Sequence, residues 1–285
     1  MCGRYASSRS PGDLVLEFEV DENHLEEAAE AADEKADEKA DEKADDGAGE
    51  ADRPAARYNI APTDTVPVVL ERLVKSDGTA GTPAVRQLRP LTWGLVPAWS
   101  KDRTAAARMI NARAESLLEK PAFKKAALTR RCLIPADGWY EWQVSSSAID
   151  RKGKPRKQPF FLHPADGTGL AFAGIYEFWR DSSRTAADPQ AWLVTFAVIT
   201  TVAEPGLEVI HDRMPLVLPA DRWDDWLDPH LQAADGVRAL IEPPPPGRFV
   251  ALPVTTRVNS VRNDGPELLE PAPAEELVGV VIPSA

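Results

Sequence analysis

The sequence predicts an α+β fold, a single domain with an antiparallel, barrel-like β core and peripheral helices. Short apolar runs bounded by Pro, Gly and Asp recur from Tyr58 onward, as in strands joined by tight turns. Helical periodicity is restricted to a few short segments, which do not alternate with the strands as in βαβ units. The 285 residues, 43% of them hydrophobic, suffice for one large core, so one domain over residues 1–285 is expected.

Apolar runs are expected to form strands, and segments with helical periodicity are expected to form helices. Pro121 interrupts the first helical pattern, and the proline run at 243–246 is a stiff connector before the last strand. The predicted strands cover residues 66–71, 133–134, 139–144, 160–163, 170–176, 192–200, 216–218 and 249–254, and the predicted helices cover residues 112–119, 122–129, 221–227 and 231–241.

The net charge of −12 is concentrated in residues 21–52, which hold 15 acidic residues and three lysines. This segment repeats D-E-K-A and contains almost no branched apolar or aromatic side chains, so it cannot bury enough surface to fold alone. We expect a disordered acidic insertion, either a solvated, partly helical excursion or a tether that competes with an anionic ligand. The rest of the chain carries 30 basic and 30 acidic residues, so the acidity does not exclude a nucleic-acid ligand.

Several classes of protein are excluded by what the sequence lacks. No run approaches the roughly 18 consecutive apolar residues of a membrane span, and the start lacks the basic and apolar regions of a signal peptide. We therefore expect a cytoplasmic protein with no membrane partner. Two cysteines without C-x-x-C spacing and four scattered histidines favour neither disulfides nor a metal site, so no metal and no cofactor are expected.

Cys2 is the first candidate nucleophile, because removal of Met1 leaves a free α-amine beside its thiol. Reference pKa values of about 7.7 to 8.0 for the amine and about 8.5 for the thiol keep both partly nucleophilic near neutrality. Such a pair attacks an aldehyde through nitrogen and closes a thiazolidine through sulfur. Taken alone, a cysteine at position 2 is more readily explained as incidental, but Gly3 and Arg4 allow close backbone approach and an anion contact, which favours the functional interpretation. Cys132, flanked by strand-forming residues, is expected to be buried and inert.

Three further segments contain residues suited to proton transfer and positioning. Asn111, at an expected helix start, is either an N-cap or an amide that orients a carbonyl or sugar hydroxyl, and Arg113 can bind a phosphate. Strand alternation puts Glu141 on one face with Trp139, where a cleft would raise the pKa of the carboxyl group. His211, in a loop, is either solvated or a general base.

Residues 151–157 contain five cations between two expected strands, a pattern typical of a solvated hairpin loop or of a phosphate contact. The eight tryptophans are explained by core packing or, where exposed, by stacking on the bases of a single strand. The five cations are Arg151, Lys152, Lys154, Arg156 and Lys157.

Eight motifs follow one another along the chain: M-C-G-R-Y at 1–5, Y-N-I-A-P-T at 58–63, W-G-L-V-P-A-W at 93–99, N-A-R-A-E at 111–115, K-P-A-F at 120–123, R-C-L-I-P-A-D-G-W-Y-E-W at 131–142, F-A-G-I-Y-E at 172–177 and I-H-D-R-M-P at 210–215. In this order they resemble the SRAP family, the SOS-response-associated peptidases, whose members shield abasic sites in single-stranded DNA. The acidic segment is not a recognised feature of that family.

The resemblance implies a β-barrel-like core, a positively charged groove for single-stranded DNA, and a thiazolidine between Cys2 and the opened sugar of an abasic site. It implies that Asn111 positions the opened deoxyribose, that Glu141 moves protons at the amine, and that His211 assists ring opening and release of the adduct. It also implies phosphate contacts by Arg4, Arg113 and Arg213, packing of Trp93 and Trp142 on DNA, a DNA contact at Gly3, and a groove lined by Asn59, Pro62 and Thr200.

Three functions remain open at this level. In the first, a monomer associated with the nucleoid crosslinks itself to abasic sites in single-stranded DNA after losing Met1, and the crosslink is reversible. In the second, the protein is a cysteine hydrolase or autopeptidase of N-terminal-nucleophile type, in which Asn111 stabilises an oxyanion. In the third, it binds nucleic acid without catalysis, and Cys2 is incidental.

Overall fold

The computed structural model describes residues 2–25, 56–74, 83–150, 152–185, 188, 191–243 and 245–283. Most of the predicted acidic insertion, residues 26–52, lies outside these ranges, as does Arg151. Residues 21–25 were assigned to the insertion, but the structure corrects this boundary: Glu22–Asn23 is a short strand, and the backbone N–H groups of Asp21 and His24 donate to Arg86 and Leu88.

Thirteen strands and four α-helices form the described part of the chain. The helices are α1 Pro11–Glu17, α2 Pro121–Thr129, α3 Trp223–Leu227 and α4 Ala234–Leu240. The strands are β1 Tyr5–Ser7, β2 Glu22–Asn23, β3 Arg57–Ile60, β4 Thr65–Leu73, β5 Ala84–Trp93, β6 Asn111–Arg113, β7 Arg131–Ala136, β8 Gly138–Ile149, β9 Pro155–Pro164, β10 Leu170–Arg180, β11 Trp192–Val202, β12 Arg213–Pro215 and β13 Phe249–Pro253.

A closed barrel confirms the α+β fold class. Strands β11, β10, β7, β4 and β5 pair in that order and antiparallel, and β5 then pairs with β11 in parallel to close the ring. Along β4 the residues alternate as the strand period requires: Val66, Val68 and Leu70 face the interior cluster, and Val69 faces the outer one. The helices pack on that outer face, where Phe123 and others bury the apolar side of α2.

A second, five-stranded sheet, in the order β13, β9, β8, β1 and β3, carries the start of the chain. Strand β1 lies between β3 and β8, with Tyr5 opposite Trp139, and the Tyr140 N–H donates to the Arg4 carbonyl. Because β1 has a neighbour on each side, the residues just before it are fixed against the interior. Cys2 accordingly belongs to the same buried cluster as Trp139.

The predicted alternation of β8 is confirmed. Trp139 belongs to the central core cluster and Glu141 is buried, whereas Tyr140 and Trp142 pack on the opposite face. That face is covered by the segment around Val258. The strand therefore presents one carboxylate to the interior beside Cys2 and an indole to the outside.

Two predicted elements are wrong. Residues 112–119 are not a helix: β6 runs parallel to β11, and a 3₁₀ turn, Ala114–Ser116, follows it. Asn111 is thus a strand residue and not an N-cap. The strand expected at 216–218 lies earlier, at Arg213–Pro215, although Val217 still bridges to Phe172. In both cases a long-range pairing with β11 determines the structure more strongly than local propensity does.

Arg131 links the barrel to the helices. Its side chain is 3% exposed, and its guanidinium donates to the carbonyls of Ala127 and Leu128 near the end of α2 and of Trp226 and Asp228 at the end of α3. These are orphan carbonyls that have no partner within their own helices. Among the described residues, no helix is both long and apolar enough to cross a bilayer.

Candidate active site at the amino terminus

Cys2 is held in the interior by its backbone. The Asn111 Nδ2 donates to the Cys2 carbonyl over 2.7 Å, and the Cys2 thiol lies 3.9 Å from the Arg4 carbonyl. The side chain has no exposed surface. Burial raises the pKa of the thiol well above its usual value, and the negative charge of Glu141 raises it further, so the sulfur is held as a neutral thiol.

The Asn111 side chain has one polar atom, Oδ1, that its contacts leave without a partner among the described residues. Strand β6 places it level with Val198 of β11, and the Trp93 indole donates to the preceding carbonyl, that of Ile110, over 2.9 Å. The Asn111 Oδ1 is buried and has no hydrogen-bond partner among the described residues. A buried acceptor without a donor is costly, so this atom is suited to receive a hydroxyl or amine from a ligand.

Glu141 supplies a group that titrates near neutrality. It lies on β8 with 3% of its surface exposed, and burial raises the pKa of its carboxyl group to about 7. The carboxylate is close enough to Cys2 for its charge to act on the thiol. A carboxyl group with this pKa can both donate and accept a proton at physiological pH.

His211 lies in the turn before β12 and lines a small cavity together with Glu141 and Met214. Burial lowers the pKa of His211, while the neighbouring Asp212 carboxylate acts in the opposite direction. The Nδ1 atom lies 3.0 Å from the backbone N–H of Arg213 and 3.0 Å from the Asp212 carboxylate. Nδ1 therefore lies beside one donor, the Arg213 N–H, and one acceptor, the Asp212 carboxylate.

A groove with a volume of about 910 Å³ opens from these residues to the surface. Four of its lining residues are cations, Arg4, Lys154, Arg156 and Lys157, and two are acidic, Glu141 and Asp150; Asp150 is close enough to Lys154 for their charges to interact. Arg156 donates only to backbone carbonyls, those of Glu275, Glu276 and Val278. The groove is lined by Arg4, Glu141, Trp142, Val144, Asp150, Lys154, Pro155, Arg156, Lys157, His211, Thr256 and Asn259.

Asn59 supports Arg4 and does not line the groove. Its side chain is 1% exposed; its Oδ1 accepts from Arg4 over 2.6 Å, and its Nδ2 donates to the carbonyls of Val258, Ser260 and Asn263. Arg4 is also bonded to the Val258 carbonyl over 2.9 Å. The amide therefore fixes the guanidinium without neutralising it.

Thr200 and Arg213 form a second supported unit. Thr200 is 2% exposed, and its carbonyl accepts from Arg213 over 2.7 Å. Arg213 also forms a bidentate pair with Glu115, at 2.6 and 2.9 Å, so its charge is already compensated. Thr200 is buried and does not line the groove. The Arg113 side chain, in contrast, is exposed and makes no hydrogen bond to the described residues, although its backbone is paired with β11.

The structure corrects the prediction for Trp93, which is wholly buried and stacks on Phe196 inside the barrel. It cannot pack on DNA without opening the core; its indole instead fixes the strand that carries Asn111. Trp142 does line the groove, where its indole N–H donates to Asn259 over 2.7 Å. Gly3 and Pro62 are partly exposed, and neither lines the groove as defined above.

Sequence reasoning missed the role of Glu115 and did not assign Lys154, Arg156 and Lys157 to the site. In the sequence, Glu115 could have been noticed because it belongs to the N-A-R-A-E motif, and the cations because five of them occur within seven residues. Only the three-dimensional structure shows that Glu115 and these cations lie near the site. Among the described residues, no group of three or more His, Cys, Asp or Glu side chains is arranged to hold a metal ion.

Comparison with known families decides the relationship. The family described as SOS response associated peptidase (SRAP) matches residues 1–261. The chain belongs to this family. The SRAP match covers the site described above with two exceptions. These are Asn263, whose carbonyl accepts from Asn59, and the C-terminal segment whose carbonyls accept from Arg156.

Several relatives carry descriptive names. The chain is 37% identical over 213 residues to the abasic site processing protein YoqW of Bacillus subtilis, which covers 75% of this chain and 85% of that protein. It is 31% identical to the abasic site processing protein YedK of Escherichia coli, covering 76% and 86%. Among solved structures, a phage-related protein from Bordetella bronchiseptica matches with a TM-score of 0.55 and 30% identity, covering 89% and 94%.

Proposed function

We propose that this protein processes abasic sites in single-stranded DNA by crosslinking itself to them through Cys2 after Met1 has been removed. One observation carries the proposal: the residue that would become the amino terminus is held by Asn111 and lies within reach of the charge of Glu141, and Glu141 in turn lines a groove that contains four cations. The names of the relatives support the lesion as the substrate. We expect the protein to act as a cytoplasmic monomer that joins the nucleoid when it is bound to DNA.

The proposed reaction is a condensation that releases one water. The α-amine of Cys2 adds to the aldehyde carbon of the opened sugar, and the resulting carbinolamine loses water to give an imine. The thiol sulfur then adds to the imine carbon, and the thiol proton is transferred to the nitrogen. The product is a thiazolidine, and no oxidant, reductant or cofactor is needed to balance the reaction.

Each polar residue of the site has a role in this scheme. Glu141, with a pKa of about 7, takes a proton from the attacking amine and returns it to the departing hydroxyl. The free acceptor of Asn111 receives a hydroxyl of the opened sugar. His211, whose pKa burial lowers, assists ring opening and the reverse reaction. Arg4 and Arg113 bind flanking phosphates.

The alternative function, a cysteine hydrolase, is disfavoured by the state of the thiol. A hydrolytic cysteine needs a thiolate, which proteins stabilise with a cation or a helix terminus. Here burial and Glu141 both raise the pKa of the Cys2 thiol. A neutral thiol is compatible with amine-first attack on an aldehyde, because sulfur is required only after the imine has formed.

Intact mass spectrometry of the protein, before and after incubation with a single-stranded oligonucleotide that contains one abasic site, tests the proposal. The expected result is loss of Met1 followed by a mass increase equal to that of the oligonucleotide minus one water. The Cys2→Ala variant should form no stable adduct while it still binds the same DNA reversibly. A Met1-free protein that forms no adduct, with DNA whose aldehyde is verified by an aldehyde-reactive reagent, would contradict the proposal.

A further inference from the structure

One face of β8 presents two buried polar side chains, and the proposed reaction uses only one of them. Because side chains alternate along a strand, Glu141 and Gln143 project to the same side as Trp139 and lie about 7 Å apart along the strand. Gln143 is only 5% exposed. Glu141 transfers protons in the proposed reaction, whereas the buried amide of Gln143 has no role in it.

Every polar atom of the Gln143 amide has a hydrogen-bond partner. Its Nε2 donates to the carbonyl of Val209 over 2.9 Å and to that of Val281 over 2.8 Å. Its Oε1 accepts from the Val281 N–H over 2.7 Å. Because Val281 contacts both ends of the amide, the flipped orientation would place oxygen beside oxygen and N–H beside N–H. The amide is therefore fixed with its second N–H directed at Val209.

Val209 ends the short 3₁₀ turn that leads to His211. The first residue of this turn, Leu207, is buried in the central core cluster, whereas Val209 is exposed. The last carbonyls of a helical turn have no partner within it, and the Gln143 amide supplies one for Val209. Two residues later, His211 lines a small cavity together with the β8 carboxylate. The strand that carries the proposed acid thus also holds the backbone before the imidazole.

A segment beyond the SRAP match orients the Gln143 amide. The match ends at residue 261, and Val281 lies after it. This segment is attached to β8 at a second point, where the Ser145 hydroxyl donates to the Val278 carbonyl over 3.0 Å. The contact that fixes Gln143 therefore comes from a part of the chain that the family match does not include.

We propose that Gln143 is a positioning residue that holds the turn of His211 at the cavity shared with Glu141, and that Val281 keeps the Gln143 amide in the required orientation. The inference rests on the proposed function, in which His211 assists ring opening and release of the adduct. Such assistance requires the imidazole to stay within hydrogen-bond reach of the reacting atoms, and a displacement of about 1 Å can cost about 10²-fold in rate. Gln143 does not line the cavity, so its effect on the reaction passes through His211.

The test compares Gln143→Met with a matched control, Gln158→Met. Methionine keeps the length of the side chain and removes its hydrogen bonds. Gln158 lies opposite Gln143 on β9, is wholly buried, and donates to the carbonyls of Pro159 and Val254. The control therefore loses the same kind of hydrogen bonds without a bond to the His211 turn. Release of the adduct is measured on gels, as transfer of the protein from a preformed crosslink to an excess of a second abasic oligonucleotide of different length.

Gln143→Met should release the DNA about 10-fold more slowly than the wild type, and Gln158→Met should match the wild type. In a His211→Ala background, which itself releases more slowly, Gln143→Met should have no further effect, because the group that it positions is absent. A loss of the same size in both backgrounds would show that Gln143 acts independently of His211. That result, or no loss beyond the control, would overturn the inference.

An NMR titration of the His211 ring gives a readout that does not depend on activity. Its signal is identified by its absence from His211→Ala. Burial lowers the pKa of His211, and the charged groups near it, Asp212, Arg213 and Glu141, are the same in the Gln143→Met variant. If the turn is released, the pKa should rise toward its ordinary value of 6.5, and the control variant should keep the wild-type value. An unchanged titration in Gln143→Met would overturn the inference.

Two further outcomes concern the proposed function and not this inference. Failure of the wild type to crosslink aldehyde-bearing DNA would contradict the proposed function itself. Release by His211→Ala at the wild-type rate would contradict the role given to His211 in it, while the NMR titration would still decide whether Gln143 holds the turn.

Discussion

The regions around Cys2 and Cys132 are alike in burial and differ in the polar groups that they contain. Both side chains are wholly buried in one core cluster, and in both burial raises the pKa of the thiol. Cys132 lies in the middle of β7, opposite Leu70 and Gly174 of neighbouring strands. Cys2 precedes the first strand, its carbonyl accepts from the Asn111 amide, and the Glu141 carboxylate is close enough for its charge to act on the thiol. The exposed fraction of the side chain therefore does not distinguish the two cysteines. The polar groups beside Cys2 do.

The largest difference in crosslinking is expected between variants of the two cysteines, since Cys2→Ala should abolish the stable adduct. We expect Cys132→Ala to retain crosslinking at the wild-type rate, because no group of the proposed reaction contacts it. Loss of a buried sulfur should lower the free energy of unfolding by about 1 to 2 kcal/mol. Gel-resolved crosslinking and urea unfolding measure the two quantities on one preparation. If Cys132→Ala lost the adduct while remaining folded, the distinction between the two regions would fail.

Glu141→Gln should have the next largest effect, because the amide cannot transfer a proton. We expect a crosslinking rate about 10² to 10⁴ times lower at neutral pH. The wild-type rate should also change with pH around the Glu141 pKa of about 7, and the variant should lack this dependence. Crosslinking rates of both proteins, measured from about pH 5 to 9 with preformed abasic DNA, test whether Glu141 causes this pH dependence. A variant with the wild-type pH profile would assign that titration to another group.

The same substitution makes a stability prediction with a definite sign. Burial raises the pKa of the folded-state carboxyl from 4.5 to about 7, so its stabilising contribution is complete below about pH 4.5 and is lost as pH rises through about 7. The stability of the wild type relative to Glu141→Gln should therefore fall across this window. Urea unfolding of both proteins at about pH 5 and 8 measures it, and a constant difference would show that the carboxyl is not held in its neutral form.

Asn111→Ala should have a smaller effect than Glu141→Gln, since it alters position and not proton transfer. It removes the hydrogen bond to the Cys2 carbonyl and the free acceptor, and we expect a crosslinking rate about 10² times lower. Asn111→Gln is the matched control: it retains the amide but displaces it, so restored activity would be unexpected. Affinity for single-stranded DNA without the lesion should be unchanged in both variants, because the proposed contact is with the opened sugar, and a parallel loss of that affinity would assign Asn111 to general DNA binding.

Much of the fold was predictable because β8 and β10 alternate or run apolar between clear turn residues, and α2 begins with Pro121 and buries Phe123. Strand β5 was missed because Arg86, Gln87 and Arg89 interrupt its apolar pattern; Arg86 is paired with Glu71 and Asp224 only in the folded protein. Such compensation depends on residues distant in sequence, so no local pattern reveals it.

The site was predictable as residue types but not as an arrangement. Asn111 looked like a helix cap because Ser, Thr, Asp and Asn often begin helices, yet a parallel pairing with β11 makes it a strand residue. Trp93 looked available for stacking, but the Ile110 carbonyl satisfies its indole inside the barrel. Asn59 and Thr200 are close to the groove but act by holding Arg4 and Arg213. Each role follows from a contact between segments far apart in the chain.

The position of Cys2 at the start of the chain also sets an order of events during synthesis. Its thiol leaves the ribosome before any of the residues that enclose it. Strand β1 cannot pair with β8 until Trp139 has been synthesised, and the turn at His211 is synthesised later still. At about 5 to 20 residues per second, this interval lasts roughly 10 to 40 s. During that time a free aminothiol would meet any small aldehyde in the cell without protection. Under the proposed function, completion of the fold encloses the thiol in the core and ends this exposure.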